Sequence, residues 1–180
     1  MVVLVFQATT NAVDNILRET WNTSTTIATY AHAFAQLRPG LHPDQASLAG
    51  LTHRIGVLPV LTYAEDNRKL LSNIGSLETI IEAVHQDIGA RILQAWDFPA
   101  ELVEVPLNYL DFQREVPSAD YTDLVTAAVL QDSESPEHPY HDVNRMDVKA
   151  LHRLGLMHDE EEAQNRMVEH IELAAVAFAD

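Results

Sequence analysis

NAVDNILRETWNTSTTIATYAHAFA, residues 11–35, decides the fold class. Its apolar positions Val13, Ile16, Leu17, Trp21, Ile27, Ala28, Ala31, Phe34 and Ala35 recur mostly at three-to-four spacing, the period of a helix with one side against a core. Asn11, with Asp14 three residues on, is suited to cap the first turn, and Arg38-Pro39-Gly40 stops the helix.

The same grammar continues outward. His42-Pro43-Asp44 restarts a helix with Pro at its first position, where a missing N–H costs nothing, and Ala46, Leu48, Ala49, Leu51 and Ile55 carry it to Gly56. Val57-Leu58-Pro59-Val60-Leu61 reads as a short strand or a buried helical turn, with a small two-stranded appendage near Val57–Tyr63 as the alternative to a purely helical chain. Ser76 is suited to cap a helix whose apolar set is Ile80, Ile81, Val84, Ile88, Ile92, Leu93 and Trp96, and whose stripe also carries His85 and Gly89. Asp97-Phe98-Pro99 ends it and opens a helix with Leu102, Val103, Leu107 and Leu110, kinked at Pro106. Asp120 and Asp123 start a segment running through Leu124, Val125, Ala128 and Val129 to Asp132. Ser133–Asp142 has the composition of a surface loop, and Asp159 with Glu162 starts a last helix bearing Val168, Ile171, Ala174, Ala175 and Phe178. The expected core includes Trp21, Trp96, Ile88 and Leu93. The pattern predicts an all-α, single compact multi-helix domain over residues 1–180.

Composition bounds the function. The 180 residues carry 11 Lys plus Arg against 27 Asp plus Glu, a formal charge of −16, which argues against a nucleic-acid partner. No apolar run approaches the roughly 18–20 residues that span a bilayer, and Met1–Phe6 lacks the basic flank of a signal peptide, so a cytoplasmic chain without a membrane partner is expected. Zero Cys removes disulfides, Cys-based zinc sites and thiol chemistry. Nine His among many acids leave metal chemistry open.

Metal sites need several ligands converging, so His and Asp on apolar faces are the candidates: His53, His85 and Asp132. Each has a plainer role, since a lone buried His more often makes a structural hydrogen bond. His138 and His141, beside Glu134, Glu137 and Asp142, and His152, His158 and His170 fall on polar stretches and are expected to be solvated.

These residues bring a family into view. Ala46–Gly56, ASLAGLTHRIG, resembles the "FLAGLLHDIG" segment of HD-superfamily proteins, with His53-Arg54 in place of His-Asp. Trp21-Asn22-Thr23-Ser24 is similar to the "W-x-H-S" opening of the HDOD (HD-related output domain) branch, with Thr23 where that pattern has His. Glu82, His85-Gln86-Asp87-Ile88-Gly89-Ala90, Leu93, Trp96, Phe98 and Pro99 match the most specific HDOD stretch, and Leu151–Leu156 resembles its "LGL" tail. The resemblance covers roughly residues 15–175, and the helical region that usually precedes this half of the module is expected to be missing.

The resemblance implies an HD-type helical domain whose hydrolytic members hold a metal with a His, a His-Asp pair and a later Asp, and use it to activate water against a phosphate ester. Of those four positions, Thr23, His53, Arg54 and Asp132 here, only His53 and Asp132 keep the ligand type, and two protein ligands do not make a tight catalytic site. The expectation is therefore a catalytically inactive signalling module of bacterial type with no cofactor and no catalytic residue. It would bind a protein partner, and a small ligand in a remnant pocket of Thr23, His53, Arg54, His85 and Asp132. Self-association through exposed apolar helix faces is also expected. The alternative is a divergent phosphohydrolase holding a divalent metal through His53, His85 and Asp132, with His32 moving in as a further ligand. Arg54 is expected to take the place of the metal and pair with Asp132 or another acid, the plainer option being a guanidinium in solvent at the helix end.

Overall fold

The computed structural model describes residues 10–133 and 138–156. Over them the chain is helical, with no strand: α1 (Asn11–Gln36), α2 (Pro43–Thr52), α3 (Val57–Asp66), α4 (Arg68–Leu71), α5 (Ile74–Ala95), α6 (Ala100–Asn108), α7 (Tyr121–Asp132), a 3-10 turn (Arg145–Asp147) and α8 (Lys149–Arg153). The helix expected from Asp159 to Phe178 lies outside the described residues.

Capping chemistry sets the starts, in two places earlier than the sequence suggested. Thr10, one residue before Asn11, accepts from the Val13 N–H at 3.4 Å. Asn73 accepts from the Ser76 N–H at 3.1 Å, so α5 begins at Ile74 and Ser76 lies within its first turn. Asp120 does cap α7, accepting from the Asp123 N–H at 3.1 Å. The strand alternative at Val57 is replaced by α3, because Pro59 falls in the first helical turn, where its missing N–H has no intrahelical acceptor to lose.

Two cores result. The larger gathers Ile27, Ala31 and Phe34 of α1, Ala46 and Ala49 of α2, Leu102, Val105 and Tyr109, and the all-round buried α7. The smaller packs Val13 against Val57, Val60, Leu61 and Ala64 of α3 and Leu77 and Ile81 of α5. Trp21 and Trp96, expected in the core, are 64% and 60% exposed. Trp21 shares its side of α1 with Ala28, but α2, which covers Ala28, ends at Thr52, leaving a groove lined by Leu17, Trp21 and Leu58. Trp96 caps the end of α5, where the chain turns through Asp97 at φ 57°, and its ring packs at the surface 6.4 Å from that of Phe98. Of the other two, Leu93 is fully buried and Ile88 is partly buried against the smaller core.

The turn between α2 and α3 joins the two cores and is held at both ends by glycines. A Cβ on Gly50 would lie 2.5 Å from Ala28 Cα, so α1 and α2 touch backbone to backbone there. A Cβ on Gly56 would lie 1.9 Å from the His85 carbonyl oxygen and 2.6 Å from the Gly89 nitrogen, so the turn also rests directly on α5. His53 and Arg54 sit between these two contacts. At the far end of the molecule, buried Asp123 takes Arg153 through both oxygens at 2.8 and 2.7 Å and Arg114 at 3.3 Å, fastening α8 to α7.

Candidate functional site

Helices α1, α5 and α7 and the α2–α3 turn enclose a cleft of about 470 Å³. Thr23 of α1, Arg54 of the turn and Asp132 at the end of α7 line it together, with Glu19, Glu78, Glu82, His138 and Tyr140. Three of the five residues expected in a remnant pocket thus line one cleft.

His53 and His85 do not line it and are buried behind it. His53 Nδ1 lies 2.6 Å from the Gly50 carbonyl; because a carbonyl only accepts, Nδ1 carries the proton. Burial pushes His53 down to about 3, so it stays neutral. Its ring meets that of Tyr109 edge-on at 5.0 Å, and Tyr109 also lies 6.3 Å from the ring of His85. The His85 nitrogens and the Tyr109 hydroxyl are sealed from solvent and make no close, well-aligned hydrogen bond among the described residues; Glu82 lies beside His85, and Arg54 beside Tyr109. Burial raises the Tyr109 phenol above its ordinary value.

Arg54 points neither to bulk solvent nor to Asp132. Its Nη2 donates to Glu82 Oε1 at 2.6 Å, and the other oxygen of Glu82 lies 3.5 Å from His85 Nε2. His85 and Arg54 together hold the Glu82 carboxyl down at about 2. Glu82 therefore joins the surface cation to the buried imidazole. Asp132 is different: burial raises its pKa, and the charge acting against that is His138.

Sequence reasoning missed Glu82, Tyr109, His138 and Tyr140 as site residues. Glu82 and His85 lie three apart on one helix, the spacing that brings side chains together, and Tyr109 continues the Leu102–Val105 stripe with a polar tip. His138, expected in solvent, is half-buried on the cleft wall, its ring 5.5 Å from that of Tyr140. His32 faces α2, with Nδ1 2.9 Å from Ser47 Oγ, and does not line the cleft.

The donor set does not suit a divalent metal. Thr23 is a weak ligand, Arg54 brings a cation where an anion is needed, and no three of His, Asp and Glu converge as a metal site requires among the described residues. His53, His85 and Asp132 are accordingly not brought together as a ligand set.

The helices and this cleft define an all-helical domain of the HD-superfamily type. The chain belongs to the HDOD domain family, whose model matches residues 1–110, taking in Thr23, His53, Arg54 and His85 and stopping short of Asp132. It is also similar to the crystal structure of a candidate metal-dependent phosphohydrolase from Shewanella amazonensis SB2B, with 25% identity and a TM-score of 0.71 over 93% of this chain. The chain spans 62% of the length of that protein. No curated protein matches it. No helix among the described residues is long and apolar enough to cross a membrane.

Proposed function

We propose that the chain is a non-catalytic regulatory module that works in the cytoplasm, binding a protein partner and using the cleft for a ligand rather than for hydrolysis. The observation that carries this is Arg54: it directly follows His53, the motif His that this chain keeps, lines the cleft with Thr23 and Asp132, and has its charge matched by Glu82 at 2.6 Å. A guanidinium so held offers no lone pair to a cation and ties up the neighbouring carboxylate, at the position where the motif of hydrolytic relatives supplies an Asp ligand. Self-association belongs to the same proposal, with exposed Trp21 and Trp96 as the apolar surface available for it, and light scattering over a concentration series as its test.

A second reading, a divergent metal-dependent phosphohydrolase, is favoured by the likeness to the Shewanella protein and by His53, whose Nδ1–H on a carbonyl leaves Nε2 as the ring's acceptor, the tautomer that ligating histidines use. Elemental analysis of untagged protein, followed by assay on phosphodiesters with Mn, Mg, Fe or Ni supplied, separates the two. The regulatory reading expects no stoichiometric metal and no turnover in the natural chain, and a gain of metal on Thr23→His/Arg54→Asp. About one metal per natural chain, with phosphodiester turnover, overturns it.

A further inference from the structure

Away from the cleft, α1 and α3 flank a groove of about 540 Å³ lined by Asp14, Leu17, Arg18, Trp21, Asn22 and Leu58. Leu17 and Leu58 are partly buried in it, and Trp21 is exposed along it. Its two charges answer each other, Arg18 Nε lying 2.7 Å from Asp14 Oδ2. On a chain of formal charge −16 this is a locally neutral apolar strip, which suits an uncharged occupant better than an ionic one.

The chain itself supplies such an occupant. Residues 1–9, MVVLVFQAT, carry no charged side chain and include the apolar run Val2–Phe6. They lie inside the span that the HDOD family model matches. The Thr10 N–H donates to Glu65 Oε1 of α3 at 3.3 Å, so the polypeptide enters α1 beside the same helix that forms the other side of the groove. The lengths agree as well. Asp14 to Asn22 is about 12 Å along α1, beginning about 6 Å from Thr10. The four Cα steps from Phe6 to Thr10 reach up to about 14 Å, and Val2–Phe6 adds up to about 14 Å more. The C-terminal stretch fits less well: it follows Gly155 and Leu156, which lie beside Arg38 at the other end of α1, roughly 25 Å from Trp21, and it runs at once through Asp159, Glu160, Glu161 and Glu162.

We propose that Val2–Phe6 folds back along α1 and seats in this groove, covering the exposed face of Trp21. With Trp21 so used, Trp96 is the apolar surface left for a second copy. The inference stands apart from the regulatory reading, because the groove and the cleft share no lining residue.

The full chain tests it. With Trp96→Phe, Trp21 is the only indole, and the absence of Cys leaves engineered thiols without competitors. In that background Leu4→Asp/Phe6→Asp is expected to shift Trp21 emission to longer wavelength and to make acrylamide quench it more strongly, with the helical circular dichroism signal kept. Independently, Leu4→Cys/Arg18→Cys is expected to close a disulfide within one chain under mild oxidation, which needs the two Cα atoms within about 7 Å. Leu4→Cys/Glu101→Cys, whose second thiol sits on α6 away from the groove, is expected not to. Unchanged emission and quenching in the Asp variant, or equal disulfide yield from the two Cys pairs, overturns the proposal. So does an Arg18→Cys disulfide that forms only between chains, or quenching of the natural Trp21 that weakens as protein concentration rises, either of which makes a second copy the occupant. Should the Asp variant lose its helical signal, the disulfide comparison alone decides.

Discussion

Replacing Gly56 by Ala asks how tightly the α2–α3 turn rests on α5. The new Cβ would stand 1.9 Å from the His85 carbonyl oxygen, about 1.1 Å inside the 3.0 Å that real Cβ contacts respect. The obstacle is helical backbone, which cannot rotate away, so α3 must lift from α5 by about that distance. Val57, Val60 and Leu61 of α3 pack against Leu77 and Ile81 of α5, and each buried side chain is worth roughly 1.5–3 kcal/mol. A gap near 1 Å forfeits a quarter to a half of the contact energy, which over three side chains gives a loss of about 1–4.5 kcal/mol. That is a large part of the ~5–15 kcal/mol that holds a domain together. Gly75→Ala is the internal control: its Cβ would meet only Asn73 Oδ1, at 3.7 Å, and it replaces glycine within α5, so it should stabilise by about 0.5 kcal/mol. Urea unfolding followed by circular dichroism reads both, provided the m-value is unchanged. Gly56→Ala within about 0.5 kcal/mol of the natural protein would refute the close-contact argument, as would two variants shifting in the same direction.

Three other outcomes are expected. His53 is lowered to about 3 from 6.5, so the unfolded chain binds the extra proton between those values; stability should fall as pH drops from about 6.5 toward 3, by up to ~1.4 kcal/mol per pH unit, and His53→Gln should flatten that slope in pH-dependent urea melts. Glu82 is lowered to about 2 from 4.5, so its contribution is complete above 4.5 and lost between 4.5 and 2; Glu82→Gln should remove sensitivity in that lower window, and carbon-detected NMR titration of Arg54→Ala should show the Glu82 pKa raised yet still below 4.5, because His85 remains. Asp123→Ala strips Arg153 and Arg114 of a buried partner and should cost about 3–5 kcal/mol in thermal or urea melts, and a loss under 1 kcal/mol would show the cluster to be dispensable.

Most of the helices were legible because each buries one stripe, whereas α7, buried all round, was legible from its Asp120 cap. The period from Asn11 to Ala35 and the Asp120 cap survive in the structure almost unchanged. The two tryptophans were not legible, because periodicity reports which side of a helix a residue occupies and says nothing of where the neighbouring helix ends. Val57–Leu61 was ambiguous for a related reason: a five-residue apolar run has no period long enough to separate strand from helix. Within the cleft, Thr23 and Arg54 came from the family pattern, and Asp132 from its place at the end of an apolar helix. Glu82 as the partner of Arg54 was hidden by a separation of 28 residues along the chain, and the placing of His138 depends on how a loop folds back after α7.

The two unequal cores meet at the turn that carries His53 and Arg54, and the cleft is walled from both sides of that seam, by Ile81 of the smaller core and Asp132 at the end of α7. Hydrogen exchange in such a molecule should resolve two opening units, with amides of α3 and the first turns of α5 exchanging ahead of those in α7. Anything seated in the cleft bridges both units, so occupancy would register as slowed opening of the weaker one. On the regulatory reading proposed above, the domain would in this way report a ligand through the lifetime of a closed state, without any change in its average shape.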